Sequence, residues 1–385
     1  MAGDHGHLRR PRPRRGRLLP RDLGDELSRG RRGGGARPDR LLSTIVPETD
    51  VHQVQLSPDG RTFAVQPGET VLGAALRQGV RLNYGCLHGN CSSCKYLLLD
   101  GDVDFGIASP YSLPPGEREE GWALLCCATP LCDLEIQSSL VQDPRMLPDL
   151  VPEERSSEVA GVEHLGGDLW RLRLELDRPL EFYAGQYVQL GVPGTEDDWR
   201  AYSISSPPSR QPVAEFVAKR IEGGRFSGQI DRLEAGTPMR VRGPYGIGYL
   251  RAGDDPVLLV AGGSGIAPIL SILEHAAESG DRREFRFFFG ARIPEEVVLA
   301  AEIDAIGRRL PGLEFLPAVE HPGDSGWEGD TGRVTKAIQR HLHDASPYDV
   351  YLCGNPPMCD SASLLLEAKG VREGRIFFDR FFAAV

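Results

Sequence analysis

Five of the eight cysteines fall within residues 86–127, and three of them stand in the run Cys86-Leu-His-Gly-Asn-Cys91-Ser-Ser-Cys94. The spacing C-x4-C-x2-C, with a further thiol at Cys126, is that of a plant-type 2Fe–2S cluster. A compact loop of this kind can wrap three thiolates around two irons, with the fourth brought in from a distant strand end. Gly85 and Gly89 would let the loop curl its N–H groups toward the sulfurs. Zinc prefers two C-x2-C pairs, which this run lacks. Cys126 and Cys127 are adjacent, and spacing alone does not separate them as the fourth ligand. His88, a single histidine inside a four-cysteine frame, reads as a loop residue. Cys132 and Cys359 read as packing.

A second group is Arg200-Ala-Tyr202-Ser203-Ile-Ser205-Ser-Pro207. An arginine can fork onto a diphosphate. A tyrosine two positions on, on the same strand face, can lie flat against a ring system, and Ser203 can bond a ring nitrogen. Alone, the string would also suit an ordinary strand with a buried tyrosine. Gly223-Gly224-Arg-Phe-Ser227 adds a glycine turn leading to a helix N-terminus that would face an anion. Gly243-Pro-Tyr-Gly246 is expected to close the region with a tight turn. Together the three pieces point to FAD.

A third group, Ala261-Gly262-Gly263-Ser264-Gly265-Ile-Ala-Pro268, follows an apolar strand and opens a helix, the setting of a phosphate-binding turn. It is not G-x-G-x-x-G. Pro268 suits the first helical turn. Gly290-Ala-Arg292 ends the next strand, where an adenosine ribose would lie. Glu295 and Glu296 follow, and carboxylates there favour the free 2′-hydroxyl of NADH, whereas Arg292 would suit the 2′-phosphate of NADPH. Cys353-Gly354-Asn-Pro-Pro-Met358 ends a late strand. By itself Cys353 reads as a buried core cysteine, with a thiol beside the nicotinamide as the functional alternative.

The elements that must position these groups follow from periodicity. Alternation over Val51–Leu56 and Arg61–Val65 predicts a hairpin, Thr70–Gln78 a short helix, and Tyr96–Leu99 and Leu134–Gln137 further strands. Residues 158–252 give short alternating strands between Gly and Pro turns, an antiparallel β-barrel. From residue 253 to 385, apolar strands alternate with helices as a parallel α/β domain. The expected organisation is a basic tail over residues 1–46, an α+β cluster domain over 47–142, a three-proline linker over 143–157, then the barrel and the α/β domain.

Net charge is −11 over 385 residues. Residues 1–40 carry +7 and the remainder −18, so the body suits docking on a basic protein and not on nucleic acid. The tail has no apolar periodicity and is expected to be disordered, or to come from a start codon placed too far upstream. No apolar run spans a membrane and no secretory signal is visible. A reducing, cytoplasmic setting is expected.

In combination, the motifs over roughly residues 50–385 resemble the three-module reductase components of bacterial oxygenases, especially those of phenol hydroxylase and related binuclear-iron monooxygenases. Gly106-Ile-Ala-Ser-Pro110 followed by Cys126-Cys-Ala-Thr-Pro130 is similar to the phenol hydroxylase branch. The resemblance implies a β-grasp ferredoxin fold, a flavin barrel and a nicotinamide domain of the ferredoxin reductase type. It implies hydride transfer from NADH to FAD and single electrons through a 2Fe–2S cluster to a partner oxygenase. It makes Cys126 the fourth ligand beside Cys86, Cys91 and Cys94. Arg200 would hold the FAD diphosphate, Tyr202 would stack on the isoalloxazine, and Ser203 would contact its reactive edge, with Ser205, Gly223, Gly224 and Ser227 completing the site. Gly262, Gly263, Ser264, Gly265, Pro268, Gly290, Arg292, Gly354 and Met358 would hold NAD, with Cys353 near the hydride-bearing carbon. Phe378-Asp-Arg-Phe381 is similar to the family's closing motif and puts Phe381 by the flavin. A Rieske dioxygenase reductase has the same modules and is the alternative. A non-catalytic zinc-binding adaptor is the alternative of another class.

Overall fold

The computed structural model describes residues 50–138, 149–372 and 374–381. The expected tail, and residues 143–148 of the expected linker, lie outside them.

The first module is a small mixed sheet. β1 (His52–Ser57) and β2 (Thr62–Val65) pair antiparallel, with Val54 opposite Phe63. α1 (Val71–Arg77) follows, capped by the Thr70 hydroxyl, which accepts from Gly73 N at 3.1 Å. The chain continues through β3 (Lys95–Asp100), β4 (Val103–Asp104), α2 (Pro115–Glu119), β5 (Trp122–Leu124), β6 (Thr129–Pro130) and β7 (Leu134–Ser138). The sheet order is β2-β1-β7-β3-β5, with β1 and β7 parallel. Val54, Val65, Leu72 and Ile136 fill its core.

The second module contains β8 (Glu153–Gly166), β9 (Leu169–Leu176), β10 (Tyr187–Gly191), β11 (Trp199–Ser203), β12 (Val213–Lys219) and β13 (Pro238–Tyr245). The order is β11-β10-β13-β8-β9-β12, every pair antiparallel. A bridge between Ile204 and Phe216 joins the end of β11 to β12 and closes the sheet. Two expectations are corrected here. β8 opens at Glu153, inside the stretch read as linker. Its inward positions there are Arg155 and Ser157, which hide the alternation from a hydrophobicity reading. Gly243-Pro-Tyr245 is the end of strand β13, not a tight turn; the ladder bulges there, opposite Tyr187–Gln189.

The third module is a fully parallel sheet of β14 (Val257–Gly262), β15 (Phe285–Ala291), β16 (Leu313–Val319), β17 (Asp330–Thr331), β18 (Asp349–Gly354) and β19 (Ile376–Arg380). Between them run α3 (Ile266–Ser279), α4 (Ala300–Gly307), α5 (Val334–His341) and α6 (Pro356–Ala368). Strand order is β17-β16-β15-β14-β18-β19. Alternate residues of each strand feed separate cores on the two faces. Leu259, Phe287 and Phe289 enter one, Leu258, Val260 and Phe288 the other. Each fully buried phenylalanine contributes about 1.5–3 kcal/mol. The order reverses between β14 and β18, the switch point at which a ligand crevice opens beyond the strand ends.

Phe216 is fully buried at the closing bridge of the barrel. Phe216→Ala is expected to cost about 3–5 kcal/mol and to lower the barrel's calorimetric transition by more than about 10 °C.

Candidate functional site

The cluster loop, residues 85–94, lies between α1 and β3. Leu87 and Ser92 take positive φ (63° and 57°), as does Gly89 (74°), so the backbone curls back on itself. Cys86 N donates to Cys91 Sγ at 3.2 Å and Asn90 N to Cys86 Sγ at 3.4 Å. Cys86 is hydrogen-bonded to Cys91, and Cys126 both to its neighbour Cys127 and to Cys94, so the pairs Cys86–Cys91 and Cys94–Cys126 are both within reach. Two irons, each completed by two protein thiolates, require that arrangement. Cys127 Sγ lies 3.6 Å from Cys126 Sγ and backs onto Gly89, where a Cβ would stand 2.7 Å from it.

The barrel presents β11 beside this loop. Tyr202 packs on Phe226, ring centroids 4.9 Å apart, and its hydroxyl bonds Ser227. Arg200 is held by Asp198 and by Trp199 O at 2.9 Å. Asp198 also takes Arg225 Nε at 2.9 Å. Gly224 admits no side chain, because a Cβ would meet Ser227 Oγ at 2.4 Å. Ser205 Oγ is buried with no hydrogen-bond partner, the mark of a polar ligand group that belongs beside it. Burial and the Arg200 charge push His88, on the cluster loop, below the usual histidine range. The tip of the cluster loop and Arg200 are therefore neighbours.

At the switch point, Gly262 pairs with Gly290, and Ala261 with Cys353. A Cβ on Gly265 would lie 2.1 Å from Cys353 O, one on Gly262 2.8 Å from Met358 Sδ, and one on Gly290 3.1 Å from Val334 Cβ. Gly263 has φ +56° and Gly354 φ +143°, both outside the range of ordinary side chains. Ser264 lies in the 3-10 turn that leads into α3, with Pro268 in the first turn of the helix. The strand ends thus form a backbone-lined crevice suited to a pyrophosphate. Arg292 is spent on Glu296: its N–H and Nε donate to that carboxylate at 2.8 and 2.9 Å.

The three regions meet at the C-terminal strand. Asp379, in register with Cys353, accepts from Ser203 Oγ at 2.5 Å. Phe381 N donates to Gly354 O at 2.8 Å. Across the seam, Tyr187 Oη donates to Gly85 O at 2.6 Å, and Gly246 N donates to Tyr84 Oη at 3.2 Å. Ser203, Cys353 and Phe381, far apart in sequence, are thus brought together. A small cavity lined by Cys86, Cys91, Tyr187, Phe378 and Asp379 lies among them. Asp379 is the residue that sequence reasoning missed. It stood in the quoted closing motif, but its charge there gave no sign that it would be buried against Ser203.

Burial raises the Asp379 carboxyl to about 6, against an ordinary value of 3.8. Burial, followed by the Asp379 charge, keeps the Cys353 thiol well above its usual range. Because the folded state holds the Asp379 proton more tightly, its contribution to stability is full below about pH 4. It is lost as pH rises through about 6. Asp379→Asn should therefore gain on the wild type between pH 5 and pH 7.5, by about 1.4 kcal/mol, when denaturant midpoints are compared.

Residues 54–132 match the 2Fe-2S iron-sulfur cluster binding domain, 156–249 the oxidoreductase FAD-binding domain and 259–363 the oxidoreductase NAD-binding domain. The chain is 38% identical over 339 residues to the reductase component DmpP of phenol 2-monooxygenase from Pseudomonas sp. (strain CF600), covering 86% of this chain and 95% of that one. It is 35% identical to the propane 2-monooxygenase reductase component of Gordonia sp. (strain TY-5), covering 86% and 97%. Among solved structures, the Amycolatopsis cytochrome P450 reductase GcoB superposes with a TM-score of 0.76 at 30% identity, covering 86% and 98%. FAD, a 2Fe–2S cluster and NADH are the groups these three modules serve. The chain belongs to the family of NADH-dependent, three-module reductase components of multicomponent monooxygenases.

Proposed function

We propose that this reductase delivers electrons from NADH to a binuclear-iron monooxygenase acting on an aromatic or alkane substrate. The observation that carries the acceptor class is the similarity along nearly the whole length of the phenol and propane 2-monooxygenase reductases, at 38% and 35% identity. A terephthalate 1,2-dioxygenase reductase stands at 30%. The test is direct: the chain, supplied with NADH, should support hydroxylation by a phenol or propane 2-monooxygenase oxygenase. Support of a Rieske dioxygenase alone would refute the reading. All eight cysteines are free, which favours a reducing, cytoplasmic setting.

When bound, FAD supplies the exchange between two-electron and one-electron transfer, and the cluster a one-electron relay. The protein's own work is positioning. Cys86, Cys91, Cys94 and Cys126 hold the cluster. Arg200, released from Asp198, and the turn Gly223–Ser227 hold the FAD diphosphate, while Tyr202, Ser205 and Phe381 frame the ring. Ser203 would face the ring edge with its hydroxyl proton held by Asp379, which fixes the orientation of that hydroxyl and leaves its oxygen to accept. Gly262 to Pro268, Gly290, Gly354 and Met358 take the dinucleotide, with Cys353 as an uncharged wall beside the nicotinamide. Partner docking needs no nucleic acid. No helix among the described residues is long and apolar enough to cross a membrane.

Cys126→Ser should abolish the visible iron–sulfur bands, while Cys127→Ser should keep them; the reverse pattern would move the ligand. Glu296→Ala frees the Arg292 guanidinium for a 2′-phosphate. It should raise kcat/KM for NADPH by about tenfold, the worth of about 1.4 kcal/mol, with little change for NADH.

A further inference from the structure

The cluster loop has two sides. Gly85, Cys86 and Cys91 face the barrel and Asp379. The opposite side, at Gly89 and Ser92, is covered by the segment 105–113, which contains the motif Gly106-Ile-Ala-Ser-Pro110. This segment is pinned at every turn. Ser109 N donates to Gly89 O at 3.1 Å, and Ser92 Oγ to Ser112 O at 3.0 Å. Arg118, from α2, donates to Ala108 O at 2.8 Å and Leu113 O at 3.3 Å. Gly106 lies so close to Cys127 O that a Cβ would stand 2.6 Å from it. Ala108, Ser112 and Leu113 are buried, yet Ile107 is 78% and Tyr111 96% exposed. A single exposed apolar side chain is ordinary. Two on one rigid segment, packed directly on the cluster loop, form the kind of anchor that dominates protein interfaces.

The surroundings are acidic. Residues 50–142 carry 11 carboxylates and 5 Lys or Arg. Arg61 is taken by Asp59, Arg77 by Glu69 and Lys95 by Glu117, and Arg118 is spent on carbonyls. Asp104 precedes the segment and Glu119 and Glu120 follow it, all three exposed.

We propose that segment 105–113 is the surface on which the oxygenase seats, Ile107 and Tyr111 entering an apolar seat within a basic groove on the partner, with Asp104, Glu119 and Glu120 on the rim. Electrons then enter the cluster loop from the barrel side and leave from the opposite side, with no domain rearrangement needed to uncover the exit. The proposal rests on the monooxygenase acceptor proposed above. The test uses the full chain with its cofactors and the oxygenase of the phenol 2-monooxygenase from Pseudomonas sp. (strain CF600), with that of the Gordonia propane 2-monooxygenase as a second probe. Ile107→Ser/Tyr111→Ser should keep the iron–sulfur bands and NADH–ferricyanide activity. Its Kd for the oxidised oxygenase, and the KM for it in electron delivery, should rise tenfold or more. Asp104→Asn/Glu119→Gln/Glu120→Gln should slow association at low salt and flatten its salt dependence. An unchanged Kd and KM in the double variant would overturn the docking surface and leave the acceptor reading intact. A wild-type chain that reduces neither oxygenase would overturn the acceptor reading, and the docking surface with it.

Discussion

Two tyrosine hydroxyls, exchanged across one seam, hold the electron path together. Tyr187 of the barrel donates to the cluster loop at Gly85 O, and Tyr84, next to that loop, accepts from Gly246 N of the barrel. Both rings are buried, and Tyr187 and Tyr245 belong to the hydrophobic core of the first module as much as to the barrel. Burial pushes both phenols upward, so each stays a neutral donor or acceptor at any working pH. An unmade bond here would strand a buried polar group at a cost of about 1–3 kcal/mol. The seam therefore ties the position of Cys86 and Cys91 to that of β10 and, through it, to Ser203.

The same economy of contact operates at the switch point. Gly265 and Gly262 are in direct contact with Cys353 and Met358, so the nucleotide crevice has walls of backbone. A backbone wall lets N–H groups reach a diphosphate directly, and it leaves no side chain free to move into the space. Cys353 is uncharged and buried there, which suits the wall beside the nicotinamide proposed above and not a nucleophile. Strand β19 finishes the arrangement. It sits beside β18 in parallel register and carries Asp379 to Ser203 and Phe381 to Gly354.

Charge follows the same division of labour. The arginines that sequence alone assigns to ligands are, in the folded chain, already engaged by carboxylates: Arg200 by Asp198, Arg292 by Glu296. At Arg200 the partner is one a diphosphate would have to replace. At Arg292 it is one that NADH, with its free 2′-hydroxyl, leaves undisturbed. In the function proposed above, the same residue type would serve one site as a recruitable ligand and the other as a neutralised specificity element.

What the sequence determined was every feature whose chemistry depends on local spacing. The C-x4-C-x2-C run, the Arg-x-Tyr-Ser strand, the glycine turn before Pro268 and most strand centres were legible, because covalent distance and side-chain period are local properties. Local signals failed at β8, where Arg155 and Ser157 sit at inward positions, and at Gly243–Tyr245, where turn residues lie in a strand. Only the tertiary structure placed Asp379 against Ser203, seated Gly85 on Tyr187, brought Cys126 within reach of Cys94 and left Ile107 and Tyr111 exposed beside the cluster loop. Those outcomes depend on contacts between residues tens to nearly two hundred positions apart, or on the direction in which one of two adjacent side chains points. Neither is encoded in spacing, because both are decided by how the packed modules fill space.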